Sequence, residues 1–198
     1  MTTEAGEDRV LTIPNVITVV RLLCVPVFLW LLFDQHKRVE AAVLLGVLGA
    51  TDFADGYIAR HLHQVSTLGK VLDPLADRVL LMVGASAILV DGSVPPFVAW
   101  ATLVREVLVA GAFLVLAALG ARRIDVQWAG KAGTFGLMFA FPFFLMGHDK
   151  GFSLHGPIEF LAWCCAIPAL LLAWYAAVTY IPMARQALKT RQVDSTSA

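Results

Sequence analysis

Charge is scarce in this chain. Only 15% of its 198 residues are Asp, Glu, Lys or Arg, against about 25% in an ordinary globular protein. Too little polar surface remains to cover a soluble domain of this length. The fifteen basic and fifteen acidic residues cancel. A formal charge of zero argues neither for nor against nucleic acid, because distribution outweighs the sum; no nucleic-acid partner is expected. Cysteine is nearly missing too. Cys24, Cys164 and Cys165 all lie within apolar runs and show no metal-ligand spacing, so they read as small buried hydrophobes and not as a disulfide framework. The five histidines, His36, His61, His63, His148 and His155, form no ligand set; His61 and His63 could touch phosphate but better suit a solvated loop. Glycine-rich nucleotide loops, activated nucleophiles, internal repeats and linkers are also missing, and one domain over 1–198 is expected.

Apolar residues fill the space that charge leaves. They make up 59% of the chain, and mean hydropathy is +0.75. About 20 apolar residues cross the hydrocarbon core as a helix, and six such runs can be drawn: 14–33, 40–60, 69–90, 95–119, 128–146 and 157–180. Pro14, Pro95 and Pro157 suit helix starts, where a missing N–H costs little. The expected fold is therefore an all-α polytopic membrane protein of six transmembrane helices. Residues 1–12 form an N-terminal segment that suits a short surface helix, and 192–198 form a flexible tail. The first run follows Glu4, Glu7 and Asp8 and carries Arg21, unlike a cleavable signal peptide, and is expected to be retained.

The short-loop charges set the orientation. With six spans, Arg9, Arg60, Lys70, Arg122, Arg123, Lys131, Arg185, Lys189 and Arg191 fall on one side, and Lys37, Arg38 and Lys150 on the other. The basic side faces the cytoplasm, which places both termini there, in a membrane expected to be the bacterial cytoplasmic one.

Four acids stand out against this background: Asp52, Asp55, Asp73 and Asp77. All lie at the cytoplasmic ends of the second and third spans. A carboxylate at membrane depth costs about 2.5–3.5 kcal/mol on insertion scales, so such residues are rare and usually functional. Asp52 and Asp55 are three apart and share one helical face; Gly69, Asp73 and Asp77 are four apart and share another. A short loop makes the two helices antiparallel neighbours, so the two acidic faces can meet. Arg60, Lys70 and Arg78 offset part of the charge, and a divalent cation, which takes several oxygen ligands, would gather the rest. Gly56, Ala59 and Gly69 remove side chains where a ligand or a helix must come close. A six-span ion or solute carrier is the competing class, but it calls for acids dispersed over the bundle.

The stretch Asp52-Phe-Ala-Asp55-Gly56-Tyr-Ile-Ala59-Arg60, then Gly69, Asp73 and Asp77, resembles the signature of the CDP-alcohol phosphatidyltransferase family at every defined position. The opening Pro14-Asn15-Val-Ile-Thr18-Val-Val-Arg21 is similar to the family's first span, and Arg105-Glu106 and Gly130-Lys131 extend the likeness more weakly. The resemblance implies metal-dependent transfer of a phosphatidyl group from CDP-diacylglycerol to an alcohol, with release of CMP, in phospholipid biosynthesis. It implies that Asp52, Asp55, Asp73 and Asp77 bind one or two Mg²⁺ or Mn²⁺ ions, two being expected, with Asp77 also the general base. Gly56, Ala59 and Gly69 would admit the cytidine and ribose, with Arg60 near the donor. Asn15, Thr18 and Arg21 share one side of the first helix and could reach the pyrophosphate. The family often dimerises, which leaves a homodimer open.

The acceptor is less legible. Lys131, Arg105, Arg122 and Arg123 are the candidate acceptor-binding residues, although Arg105 beside Glu106 also reads as a membrane-embedded pair. Gly130-Lys131-Ala-Gly-Thr134 resembles the basic segment of the family's phosphatidylglycerophosphate synthases. Those enzymes tend to carry a second lysine where this chain has Gly133. Glycerol 3-phosphate is ranked first as acceptor. Phosphatidylglycerol, the acceptor of eukaryotic-type cardiolipin synthases, is a close second.

Overall fold

A computed structural model describes the backbone of residues 13–62, 69–118 and 128–196, and the side chains of 16–51, 76–112 and 128–179. Within those residues the chain is all-helical: α1 (Ile13–Phe33), α2 (Arg38–Leu62), α3 (Gly69–Asp91), α4 (Pro96–Ala118), α5 (Trp128–His148) and α6 (His155–Thr196). Each expected span coincides with one helix to within about two residues at its ends, apart from the end of α6. The 42-residue α6 keeps a helical backbone to Thr196, well into the segment expected as a tail. No proline follows Pro182, and Ala, Gln, Leu, Lys and Arg dominate there, all good helix formers. The segment 1–12 lies outside the described residues.

The ends of the helices follow from local chemistry. Gly92 takes a left-handed φ of +78° and closes α3: its N–H donates to Leu89 O at 3.1 Å, and Ser93 N–H donates to Ile88 O at 3.2 Å. Only glycine adopts that backbone freely. α4 then begins on Pro96, where no N–H is needed. At the start of α2, Arg38 forks onto Asp91 at the end of α3, with Nε–Oδ2 2.9 Å and Nη2–Oδ1 3.1 Å. This bridge makes α2 and α3 antiparallel. It brings the far end of α2 and the beginning of α3 to the same end of the bundle.

The bundle carries its bulk outward. Val16, Val19, Val20, Leu23, Val27, Trp30 and Phe33 of α1 are exposed, as are Phe160, Leu161, Ile167, Leu171, Tyr175 and Val178 of α6. Such a large exposed apolar surface needs a partner other than water. Among the described residues three segments are long and apolar enough to cross a bilayer: Val16–Phe33, Trp128–His148 and His155–Thr179. The remaining helices carry charges along their length, from Arg38 and Glu40 in α2 to Arg105 and Glu106 in α4.

The contact between α5 and α6 is built from small residues. Ala162, Ala166, Ala169, Ala173 and Ala176 form one buried stripe on α6. Their three- and four-residue spacing keeps them on one face. Gly133, Gly136 and Gly147 of α5 pack against this helix. A Cβ on Gly133 would stand 2.6 Å from Ala173 N and 2.8 Å from Ala169 O, and one on Gly147 2.8 Å from Glu159 N. The backbones touch, as they do where small residues let helices meet in lipid.

This contact gives the first prediction. Gly133→Leu should destabilise the protein by at least about 1–3 kcal/mol, since backbone and not a mobile side chain must yield. Gly111→Ala, where a Cβ meets nothing within 4 Å, should be neutral or slightly stabilising. Thermal unfolding of the two variants in one detergent checks the contrast; equal melting temperatures would refute the close contact.

Candidate active site

The buried face of α1 runs through Thr18, Arg21, Val25, Phe28 and Leu32, at alternating steps of three and four. Thr18 and Arg21 are each only 1% exposed, so the shared inward side expected for them is present. A guanidinium so far from water needs an anion. Arg21 Nη1 meets Asp77 Oδ1 of α3 at 2.7 Å, the length of a charge-assisted hydrogen bond. Asp77 keeps 29% of its side chain open. Its carboxylate is thus held by a buried cation and remains partly exposed. This direct pairing of two site candidates was not foreseen, because residues 56 positions apart carry no spacing signal.

The level of this pair along the bundle can be compared with α2. Asp77 lies fourteen positions before Asp91, and Asp52 lies fourteen positions after Arg38. With α2 and α3 antiparallel and joined through Arg38 and Asp91, each stretch rises about 21 Å. The helical backbone at Asp52 therefore stands at about the height of Asp77. Both helices do touch between these levels: a Cβ on Gly84 would be 3.4 Å from Leu45 Cδ1. The side chains of Asn15, Asp52, Asp55, Arg60 and Asp73, and positions Gly56, Ala59 and Gly69, lie outside the described residues, although all sit in helical backbone. Arg122 and Arg123 lie outside the described residues altogether.

The donor chemistry at this end suits a hard divalent cation. Asp77 offers a partly open carboxylate on the face that also carries position 73. The single guanidinium of Arg21 cannot balance four acids. Among the described residues no group of three or more His, Cys, Asp or Glu gathers; three of the four acids are not among them.

A second set of charges lies between α3, α4, α5 and α6. Arg105 and Glu106 are 4% and 3% exposed and pair with each other, as the embedded-pair reading expects. Arg105 Nη1 also donates to Thr134 Oγ1 at 3.2 Å, and Nε donates to Ala173 O at 3.4 Å. Arg105 was a candidate for the acceptor, but the guanidinium is directed to these protein acceptors, as a buried one must be. Glu106 Oε2 lies 4.0 Å from Nη1 of Arg78, the residue after Asp77. Sequence reasoning did not assign Glu106 a place near the site; an acid and an arginine in mid-helix were the available signal. Lys131, one turn before Thr134, is exposed at the start of α5.

Comparison with known proteins adds an independent line. A model of the CDP-alcohol phosphatidyltransferase family matches residues 11–188. The chain is 33% identical over 192 residues to a CMP-forming cardiolipin synthase of Streptomyces coelicolor, covering 94% of this chain and 89% of that one. It is 38% identical over 141 residues to a putative cardiolipin synthase of Mycobacterium tuberculosis, covering 71% and 68%. A probable phosphatidylglycerophosphate synthase of the same organism is 31% identical over 185 residues, covering 91% and 85%.

The Arg21–Asp77 pair yields a second prediction. Arg21→Gln should cost about 3–5 kcal/mol, because it leaves a carboxylate without its buried partner. Adding Asp77→Asn should recover a part of that loss, giving a coupling energy of about 0.5–3 kcal/mol. A thermal-unfolding double-mutant cycle measures it, and strictly additive losses would show that the two side chains do not interact.

Proposed function

The chain belongs to the CDP-alcohol phosphatidyltransferase family, and on that premise we propose that it transfers the phosphatidyl group of CDP-diacylglycerol to the free glycerol end of phosphatidylglycerol, releasing CMP. The reaction class follows from membership. The choice of acceptor rests on Gly133. A Cβ there would meet Ala173 N at 2.6 Å, so a second lysine after Lys131 has no room. Of the acceptor candidates among the described residues, Arg105 is directed to Glu106, Thr134 and Ala173 O, which leaves Lys131 as the cation for a dianionic acceptor. The attacking end of phosphatidylglycerol is an uncharged glycerol and needs none. Two of the relatives above are named cardiolipin synthases and support the same order. Glycerol 3-phosphate, ranked first from the sequence, becomes the second reading; exposed Lys131 and the phosphatidylglycerophosphate synthase relative favour it.

The residues divide the work as follows. The acceptor hydroxyl attacks the phosphorus that carries the diacylglycerol; its oxygen forms the new ester and its proton passes to Asp77. Arg21 holds the Asp77 carboxylate in place, and the exposed part of that carboxylate would meet the hydroxyl. The bond to CMP breaks, and CMP departs with its charge facing Arg60. Gly56, Ala59 and Gly69 would leave space for cytidine and ribose, and Asn15 and Thr18 would serve the approach from α1. Asp52, Asp55, Asp73 and Asp77 would hold one or two Mg²⁺ or Mn²⁺ ions, which when bound neutralise the pyrophosphate and stabilise the leaving oxygen. Six helices crossing the bilayer, with both termini and the acids on the cytoplasmic side, would let soluble CMP leave while both lipids remain in the membrane. A homodimer is compatible with this arrangement.

Two measurements test the reading. Purified protein with CDP-diacylglycerol, phosphatidylglycerol and Mn²⁺ should release CMP and form cardiolipin by mass spectrometry, and excess EDTA or Asp77→Asn should reduce turnover at least about a hundredfold. Phosphatidylglycerophosphate from glycerol 3-phosphate, with no cardiolipin, would instead establish the second reading; there Lys131→Met should weaken glycerol 3-phosphate about ten- to a hundredfold. For topology, a cysteine introduced at Gln64 should react with a membrane-impermeant thiol reagent only after cells are opened. Labelling in intact cells would reverse the orientation.

A further inference from the structure

Two arginines flank Asp77, and only one of them has been given a task. Arg21 reaches it from α1. Arg78, the next residue of α3, lies toward Glu106 of α4. At 3.6 residues per turn the side chains of Asp77 and Arg78 leave the helix about 100° apart. Arg78 Nη1 stands 4.0 Å from Glu106 Oε2, near enough for attraction and too far for a hydrogen bond. Among the described residues its guanidinium makes no hydrogen bond, and 35% of the side chain is exposed. Glu106, 3% exposed, is paired with Arg105, which also donates to Thr134 and Ala173 O. Arg21 balances Asp77, and Arg105 balances Glu106. The charge left over among these five residues is that of Arg78. A half-buried surplus cation beside a reacting carboxylate calls for an anion.

We propose that Arg78, held in position by Glu106, binds the phosphate of the acceptor. The inference rests on the reading that Asp77 takes the acceptor's proton. Phosphatidylglycerol and glycerol 3-phosphate share one chemistry at that point. Each presents a hydroxyl at one end of a three-carbon glycerol and a phosphate at the other. A base for the hydroxyl and a cation for the phosphate must then stand close together but point apart. Consecutive helical residues, with Cα atoms about 3.8 Å apart, supply both. The planar guanidinium matches two phosphate oxygens at once. Direction supports the acceptor over the donor. Arg21 lies on the α1 side of Asp77 and Arg78 on the α4 side, and an in-line displacement has attacking and leaving oxygens on opposite sides of phosphorus. Glu106 is the positioning residue. Its fixed carboxylate keeps a long, flexible side chain near its binding pose without consuming the donors, which lowers the ordering cost of binding. It also gives the buried acid a use, as an acid at membrane depth usually has.

The test measures KM for donor and acceptor separately, on the full chain in detergent, reading CMP release with CDP-dioleoylglycerol and phosphatidylglycerol. If the wild type accepts glycerol 3-phosphate instead, that compound takes the acceptor's place. Arg78→Met should raise the acceptor KM about ten- to a hundredfold. Donor KM and kcat should stay within about threefold of wild type, since the contact is made equally before and during the reaction. Arg78→Lys, which keeps the charge but not the fork, should recover part of the loss. Glu106→Gln should raise the acceptor KM in the wild-type background and add nothing to Arg78→Met, because residues that act through one another are not additive. Should a variant not fold, Arg78→Gln replaces Arg78→Met, and Glu106→Asp, which keeps a charge beside Arg105, replaces Glu106→Gln. A raised donor KM with the acceptor KM unchanged overturns the proposal and assigns Arg78 to the donor. A fall in kcat alone, or unchanged kinetics, overturns it as well, and additive effects of the two positions remove the role of Glu106. A wild-type chain that releases CMP with neither acceptor is a different failure: it removes the reading of the reaction itself.

Discussion

Arg21 is buried to 1% exposure, and an anion that answers it is Asp77, 56 residues away in the chain. Breaking such a pair leaves a charge stranded in an apolar interior, which is far more costly than never having placed it there. The pair therefore fixes the register of α1 against α3. The same logic repeats at the other end, where Arg38 forks onto Asp91 and fixes α2 against α3. Two ion pairs thus set the relative heights of three helices. The acid-bearing part of α2 comes level with Asp77 because of them.

The other half of the bundle is held by different means. Dispersion between backbones in contact, with glycine facing alanine, joins α5 to α6 without any charge. Close contact of this kind is what lipid leaves available, since the tails around a helix are as apolar as its side chains. It has a chemical consequence as well. A helix face that must be glycine to fit cannot also carry a cation, so the packing of α5 limits the charge available beside Lys131.

Glu106 links the two halves. It takes Arg105 from its own helix and lies within reach of Arg78 on α3, one residue from Asp77. Arg105 in turn reaches Thr134 of α5 and the backbone of α6. A continuous chain of polar contacts thus runs from the α5–α6 contact toward Asp77.

The sequence by itself determined the helices, because apolar runs of spanning length and prolines at their starts are local signals. It also determined the reaction class, because eight defined positions from Asp52 to Asp77 occur at fixed spacing. Thr18 and Arg21 were legible as one face by their three-residue step, and Arg105–Glu106 as an embedded pair by adjacency. Residue spacing within a helix could not say which partner a buried charge finds on another. That Arg21 meets Asp77, that Arg105 is directed to Thr134 and Ala173, and that Gly133 touches α6 were decided by tertiary packing alone. Each depends on distances between helices, which the chain's own periodicity does not contain.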